Sequence, residues 1–548
     1  MDYKKLAHTL FSEVTLTTED LEKKYPPRAL PETAFVTRVA PSPTGFMHLG
    51  GVYSALISER VAHQSGGVFF LRIEDTDKKR EVEGAISAIV ESLNSFDIKI
   101  DEGEVALGKE VGSYGPYRQS ARADIYKVYV KKLLEEGKAY VAFDTGEELE
   151  QLTKTQEEQK IRPGYRGEWA LWRNKSEDEV YKALADKKPF VIRFKSSGDF
   201  EKKIKVNDLV RGERELSQND LDIVIYKTDG LPTYHFAHVV DDHLARTTHV
   251  VRADEWFASF PLHLELWNAL GWTALKYAHF SPIQKMDDGS RRKLSKRKDP
   301  EANILFYKEK GYPARAVIEY LLNLANSSFE DWRKANPTLN NTEFVLKLEK
   351  MSPSGALYDE NKLIDISKNV VAQMTADEVY GRLLVWAREF DNPFADILSR
   401  DVAYTKKVLN IERGGPQGRK DISKWSSAKE EIGYFFDDIF AGIAIDQNLF
   451  SPVPLDIAKK CVEMFKENYS VTDDKDAWFG KIKNIAITLG YASSAKEYKL
   501  EPTKYKGNVA DIAKVFRVLL TGKTNTPDLH QIMQVLGKDM VWKRLDNI

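Results

Sequence analysis

The stretch that decides the fold runs Phe35-Val36-Thr37-Arg38-Val39-Ala40-Pro41-Ser42-Pro43-Thr44-Gly45-Phe46-Met47-His48-Leu49-Gly50-Gly51. Phe35 to Ala40 reads as a short strand, Pro41 to Gly45 as a turn-rich loop, and Leu49 to about Gln64 as a helix stopped by Ser65-Gly66-Gly67. Val68-Phe69-Phe70-Leu71-Arg72-Ile73 follows, an apolar run of the kind that fills a buried parallel strand. Strand, helix and strand within residues 35–73 make one βαβ unit.

Working outward, residues 1–33 carry charges and Pro26, Pro27 and Pro31, and read as an appendage to the fold. After Tyr117 the pattern loosens into charged helices and short strands, including Ala121 to Glu136 and the polar stretch Thr145 to Lys160. This segment reads as an insertion. Apolar strands return at Leu221 to Tyr226 and near Thr248 to Val251, so a split sheet is expected to resume there. Beyond about Asn303 helical periodicity takes over, as in Val509, Ile512, Phe516 and Leu519. The final segment is expected to open with Thr526 as cap and Pro527 at the first helical position, ahead of Leu529, Ile532, Met533 and Leu536.

Composition narrows the function classes. At 548 residues the chain exceeds what one hydrophobic core supports, so three or four domains are expected. With 42% hydrophobic and 30% charged residues, it is neither disordered nor low-complexity. The 81 basic residues against 83 acidic ones deny the positive field of a protein that coats nucleic acid non-specifically. A single cysteine, Cys461, excludes an intrachain disulfide and a thiolate zinc cage. No run approaches the length of a membrane span and the first residues are charged, so a cytoplasmic protein with no membrane partner is expected.

Two segments carry the chemistry. In the first loop, two prolines stiffen the approach, and Gly50 and Gly51 at the helix start let a ligand meet backbone amides where the helix dipole favours negative charge. His48 stands at its edge as a donor. Alone, such a loop is more often a structural turn. The second segment, Arg291-Arg292-Lys293-Leu294-Ser295-Lys296-Arg297-Lys298, has six cations in eight residues. A basic run alone is usually a solvated face or an electrostatic patch. Beside a glycine-rich helix start, it suggests mobile lysines closing over a nucleoside triphosphate.

Arg38 through Gly51 resembles the first signature motif of the class I aminoacyl-tRNA synthetases, and Lys293-Leu294-Ser295-Lys296-Arg297 resembles the second. With Leu71-Arg72-Ile73-Glu74-Asp75-Thr76-Asp77 and Tyr234 through Trp256 between them, the chain resembles the glutamyl-tRNA synthetases of bacterial type from about residue 35 to its end. The resemblance implies an α/β fold: a Rossmann-like parallel sheet split by an acceptor-binding insertion, then an all-α anticodon-binding region. The implied division is an extension (1–33), the two catalytic halves (34–116 and 221–290) around the insertion (117–220), a second-motif loop with a helical stem-contact domain (291–360), and two anticodon-binding subdomains (361–450 and 451–548).

The implied reaction ligates L-glutamate to tRNA(Glu) through glutamyl adenylate, using ATP with Mg2+, with tRNA(Gln) an open second partner and a monomer expected. His48 and Lys296 are the implied catalytic donors. Pro41, Thr44, His48, Gly50, Gly51, Glu255, Lys293 and Lys296 are implied to bind ATP. Arg38, Ala40, Ser42, Glu74, Tyr234, His238 and Arg252 are implied to bind glutamate, the arginines offering planar forks to a carboxylate and Glu74 taking the ammonium. Arg413, Arg419 and Lys420 are candidates for tRNA contacts.

Three positions depart from the family pattern. Gly51 stands where a second histidine is common, and His238 where the pocket has an asparagine; a charged imidazole there would make glutamate affinity depend on pH. No cysteine lies around Tyr140 to Asp144, so no structural zinc and no other protein-bound metal is expected. Two alternatives stay open: a glutaminyl-tRNA synthetase, expected to carry a neutral group at Arg252, and a non-catalytic synthetase-like RNA-binding protein.

Overall fold

The computed structural model describes residues 1–295, 297–414 and 418–548. They divide into two compact units, one of residues 1–306 and 318–359, the other of 307–317 and 360–548.

The strands of the first unit are β1 (Val36–Val39), β2 (Val68–Leu71), β3 (Glu102–Ala106), β4 (Lys109–Val111), β5 (Ala139–Ala142), β6 (Val191–Phe194), β7 (Lys203–Asp208), β8 (Gly212–Ser217), β9 (Val224–Tyr226), β10 (His249–Ala253), β11 (Lys276–Phe280), β12 (Gln284–Asp287) and β13 (Ser290–Lys293). The expected βαβ unit is present: β1 and β2 pair in parallel, Val36 opposite Val68 and Val39 opposite Leu71, around helix Leu49–His63. Close packing at the helix exit needs glycine, since a Cβ on Gly67 would lie 1.9 Å from the Phe35 carbonyl oxygen. The sheet continues β1-β2-β3-β4, and a second runs β10-β11-β7-β8. They meet where Thr248 N donates to Val36 O at 3.0 Å and Val36 N to Thr248 Oγ1 at 2.8 Å.

The sheets divide the sequence differently from the expectation. The strand expected to resume the parallel sheet at Leu221 to Tyr226 is β9, which pairs antiparallel with β6 in the sheet β5-β6-β9. Conversely, hairpin β7–β8 joins the β10–β11 sheet through Tyr277 opposite Asp208. Short apolar runs specify a strand but not its neighbour; tertiary pairing chose it.

Residues 1–33, read as an appendage, pack into the core of the first unit. Helices Tyr3–Leu10 and Thr18–Lys24 bury Leu6, Ala7, Leu21 and the flanking Phe11 and Tyr25 in the core with helix Ala123–Glu135. Arg28 clamps Glu102 with two bonds of 2.7 and 2.8 Å and donates to Ala245 O at 3.0 Å, tying β3 to the segment leading to β10. Such a partly buried fork is stronger than a surface pair.

In the second unit the expected stripe Val509, Ile512, Phe516 and Leu519 is buried on helix Val509–Thr521. The last cap differs: Asp528, not Thr526, caps helix Leu529–Leu536 by accepting from Gln531 N at 2.9 Å, because Thr526 accepts from Arg517 instead. No helix of the described residues is long and apolar enough to cross a membrane.

Candidate active site

Helix Leu49–His63 is capped by His48, whose Nδ1 accepts from Gly51 N at 3.0 Å. A neutral imidazole that accepts at Nδ1 carries its proton on Nε2, so its outer edge is a donor. The cap commits the Gly51 amide to His48. A Cβ on Gly50 would lie 2.8 Å from His48 Cε1, so the ring sits there only because residue 50 is glycine. His48 and Gly50 line a cleft of about 300 Å³ with Pro282, Ile283, Lys293, Leu294, Ser295 and Ala302. His48 also forms an isolated bridge with Asn303, bringing the first motif against the segment that follows the second.

The second motif leaves hairpin β12–β13. Its charge is not all mobile. Arg292 forks onto Asp299 at 2.6 and 2.7 Å and also pairs with Asp287. Asp299 accepts from Ser295 N at 2.8 Å, and Arg292 above all holds its carboxyl well below the usual range. Lys293 pairs with Glu255 on the exposed rim, while Arg291, Arg297 and Lys298 are exposed. Lys296 lies outside the described residues.

Beside this cleft is a second cluster at the ends of β1, β2 and β10. The loop Pro41 to Gly45 follows β1, and Pro41 O accepts from Glu74 N at 3.1 Å, which sets Pro41, with Ala40 and Ser42 on either side of it in the chain, against Glu74. Helix Tyr234–Leu244 carries Tyr234, His238 and Asp242 at i, i+4 and i+8, one face of a helix. Asp242 is fully buried and accepts from Arg38 Nε at 3.1 Å and Arg72 Nη1 at 2.6 Å. Burial pushes its carboxyl up, but the two guanidinium groups prevail and hold it well below the carboxylate range. Glu74 takes Arg72 Nη2 at 2.9 Å, yet burial still raises its carboxyl. A second cation at Glu74 would relieve that penalty.

His238 does not act as a charged group. Its Nδ1 lies 2.7 Å from Asp242 Oδ2, and its Nε2, bare in the neutral ring, accepts from Tyr277 Oη at 3.2 Å; that hydroxyl accepts in turn from Trp267 Nε1. Burial, outweighing Asp242, pushes the imidazole down to about 3. This downward shift speaks against the expectation that a charged His238 makes glutamate affinity pH-dependent near neutrality.

Arg252, 5% exposed, donates from Nη1 to Tyr234 Oη at 3.3 Å, from Nε to His279 Nε2 at 2.9 Å, and from Nη2 to His263 Nδ1 at 3.0 Å. No carboxylate pairs with it among the described residues. Arg38, Glu74, Tyr234, His238 and Arg252 thus come together around helix Tyr234–Leu244. Sequence reasoning missed Arg72, Asp208, Asp242, His263 and His279. One signal was available: six of the ten histidines fall between His235 and His279.

One further expectation changes. Arg413 donates to Val371 O at 2.8 Å, and buried Arg419 to Asp421 at 2.6 Å and Val408 O at 3.1 Å, so both pin helices of the second unit; Lys420 alone is exposed. Burial lowers the Arg413 guanidinium to about 10. Around Tyr140 to Asp144, an apolar core of Tyr140, Ala142, Leu152, Tyr165 and Ala170 holds the fold, with Tyr165 Oη donating to Asp144 at 2.7 Å. Among the described residues no cluster of three or more His, Cys, Asp or Glu could hold a metal ion.

Residues 34–363 match the family model for the catalytic domain of class I tRNA synthetases (E and Q), and residues 503–548 match an anticodon binding domain. The chain belongs to the class I tRNA synthetases of that E and Q family. It is 48% identical over 546 residues, the full length of both chains, to a glutamate–tRNA ligase of Clostridium perfringens (strain 13 / Type A). It is 46% identical, again over the whole of both chains, to the glutamate–tRNA ligase of Acetivibrio thermocellus. Among solved structures it resembles a glutamate tRNA ligase from Elizabethkingia meningosepticum in complex with its amino acid (TM-score 0.74, 28% identity, 94% of this chain and 99% of that one).

Proposed function

We propose that this chain ligates L-glutamate to tRNA(Glu) in two steps. In the first, the α-carboxylate of glutamate attacks the α-phosphorus of ATP and pyrophosphate leaves; in the second, the 2′-hydroxyl of the terminal adenosine attacks the mixed anhydride. The observation that carries this reading is Arg252, a buried cation whose three partners are all neutral. A buried charge without a counter-ion is costly, so the site is incomplete until an anion arrives. The side-chain carboxylate of glutamate supplies that anion, with Arg38 and Tyr234 beside it. Glu74 takes the ammonium, and Ala40, Ser42 and His238 bound the pocket.

ATP occupies the cleft beside His48 and Gly50, with Pro41, Thr44, Gly51, Glu255 and Lys293 at its margin. Negative charge grows on the phosphate oxygens in the first transition state, so fixed donors matter more than a base. His48 Nε2–H and the Lys296 ammonium are those donors. Mg2+ would enter on the phosphates of the nucleotide, since no described carboxylate cluster suits it. The reading needs one copy of the chain, working in the cytoplasm, and charging of purified tRNA(Glu) and tRNA(Gln) separates one RNA partner from two.

The test is pyrophosphate exchange with glutamate or glutamine, with and without tRNA. Glutamate-dependent, tRNA-dependent exchange is expected, and Lys296→Ala should slow it by roughly a hundredfold, about 3 kcal/mol. Undiminished exchange in that variant removes Lys296 from the mechanism, and exchange that prefers glutamine overturns the substrate.

A further inference from the structure

Arg252 and His279 are register partners on the parallel strands β10 and β11, which sets the Arg252 Nε–H against His279 Nε2. His263, buried on helix Phe260–Ala269, meets Nη2 from another side. A guanidinium only donates, so both ring nitrogens facing it must be bare. The two imidazoles are therefore held in opposite tautomers. His279 carries its proton on Nδ1 and gives it to Asp208 Oδ2 at 2.7 Å; His263 carries its proton on Nε2 and gives it to His235 Nδ1 at 3.0 Å. Asp208 is fixed in turn, its Oδ1 accepting from Val210 N at 3.0 Å and Arg211 N at 2.9 Å.

We propose that His263, His279 and Asp208 are positioning residues for amino-acid selection: they aim the Arg252 guanidinium through neutral acceptors, leaving its charge for the substrate's side-chain carboxylate. This rests on the reading of Arg252 as the glutamate-binding cation. A carboxylate in place of either ring would orient Arg252 equally well but would neutralise it and compete with the substrate. Burial keeps the rings uncharged, lowering His279 to about 4 against the pull of Asp208, and His263 well below its ordinary range. Asp208 is the last residue of β7, within residues 117–220 between the two implied catalytic halves, so that segment reaches the amino-acid pocket through a proton-fixed relay of two bonds.

The tautomer argument sets the experiment, run on the full-length chain with tRNA present. In Asp208→Asn, the amide oxygen stays with Val210 N and Arg211 N, which turns the NH2 group toward His279 Nδ1. His279 must then carry its proton on Nε2, facing a guanidinium that also donates. The KM for glutamate should rise by about tenfold or more, with kcat and the KM for ATP within twofold of wild type. In a His279→Leu background no polar group links residue 208 to Arg252, so adding Asp208→Asn should change the glutamate KM by less than twofold. A rise of equal size in both backgrounds, or none in the first, overturns the proposal. Should Asp208→Asn fail to fold, His263 provides the second arm: His263→Leu is expected to raise the glutamate KM about tenfold, and His263→Asn, which keeps an acceptor for Nη2, by much less. Equal effects overturn it. A wild-type chain without glutamate-dependent exchange overturns the substrate reading itself, whereas an active wild type with an unresponsive Asp208→Asn overturns this inference alone.

Discussion

Replacing Arg252 by glutamine keeps a polar side chain of similar reach while removing the charge. In the free protein the guanidinium is buried at 5% exposure and, among the described residues, hydrogen-bonded to Tyr234, His263 and His279. Removing it deletes a desolvated cation that no described carboxylate pairs with, so the unfolding temperature of Arg252→Gln should be no lower than that of the wild type. With glutamate bound the sign reverses. The substrate carboxylate loses its buried counter-charge, a change that costs about 2–5 kcal/mol when one partner of such a pair is truncated. That corresponds to roughly a 30- to 5,000-fold fall in kcat/KM for glutamate, carried mainly by KM because the contact persists from ground state to transition state. The KM for ATP should hold, because the cleft proposed for it is lined by His48, Gly50 and Lys293 and not by Arg252. Pyrophosphate exchange over a range of glutamate and ATP concentrations, with a thermal melt of the same samples, measures all three. A folded Arg252→Gln with kcat/KM for glutamate within threefold of wild type, or with an equal loss in the KM for ATP, refutes the reasoning.

Three other outcomes follow from the geometry. The glutamate KM should show no titration of His238 between pH 5.5 and 8, because burial holds that imidazole at about 3; the difference between wild type and His238→Asn should be flat across this range. Gly50→Ala places a Cβ 2.8 Å from the His48 ring, so the cap is displaced at a cost of about 1 kcal/mol in stability, and exchange should fall about tenfold or more. His63, between Asp101 at 2.7 Å and Glu59 at 2.9 Å, is raised to about 9 by Asp101 first and Glu59 second. Its stabilisation is full below the unfolded pKa of about 6.5 and is lost as pH rises through about 9, so the melting difference between wild type and His63→Gln should shrink across that window.

Much of the first unit was legible because its signals are local. The apolar run at Val68 to Leu71, the glycines at the helix exit and the helix opening at Leu49 each depend on neighbours a few residues away. The partnering of strands was not legible. Val224 to Tyr226 reads like any buried strand, and only the surrounding packing puts it antiparallel to β6. The same holds for charge: Arg291 to Lys298 looked like one mobile basic arm, but Asp287 and Asp299 take Arg292 out of it. Arg413 and Arg419 looked like surface cations, and backbone carbonyls of the second unit claim them.

By itself the sequence determined the βαβ start, the helical second half and the glycine-rich approach to His48, since these follow from periodicity and backbone freedom; the groups proposed to meet an anion came from the family resemblance. The tertiary structure alone decided which of those groups keep their charge available. Arg38 and Arg252 are the same residue type on neighbouring strands of one site, yet Arg38 is paired with Asp242 and Arg252 faces bare imidazole nitrogens. Pairing depends on contacts between residues far apart in the chain and on how burial shifts each ionisation, and neither is written in local order.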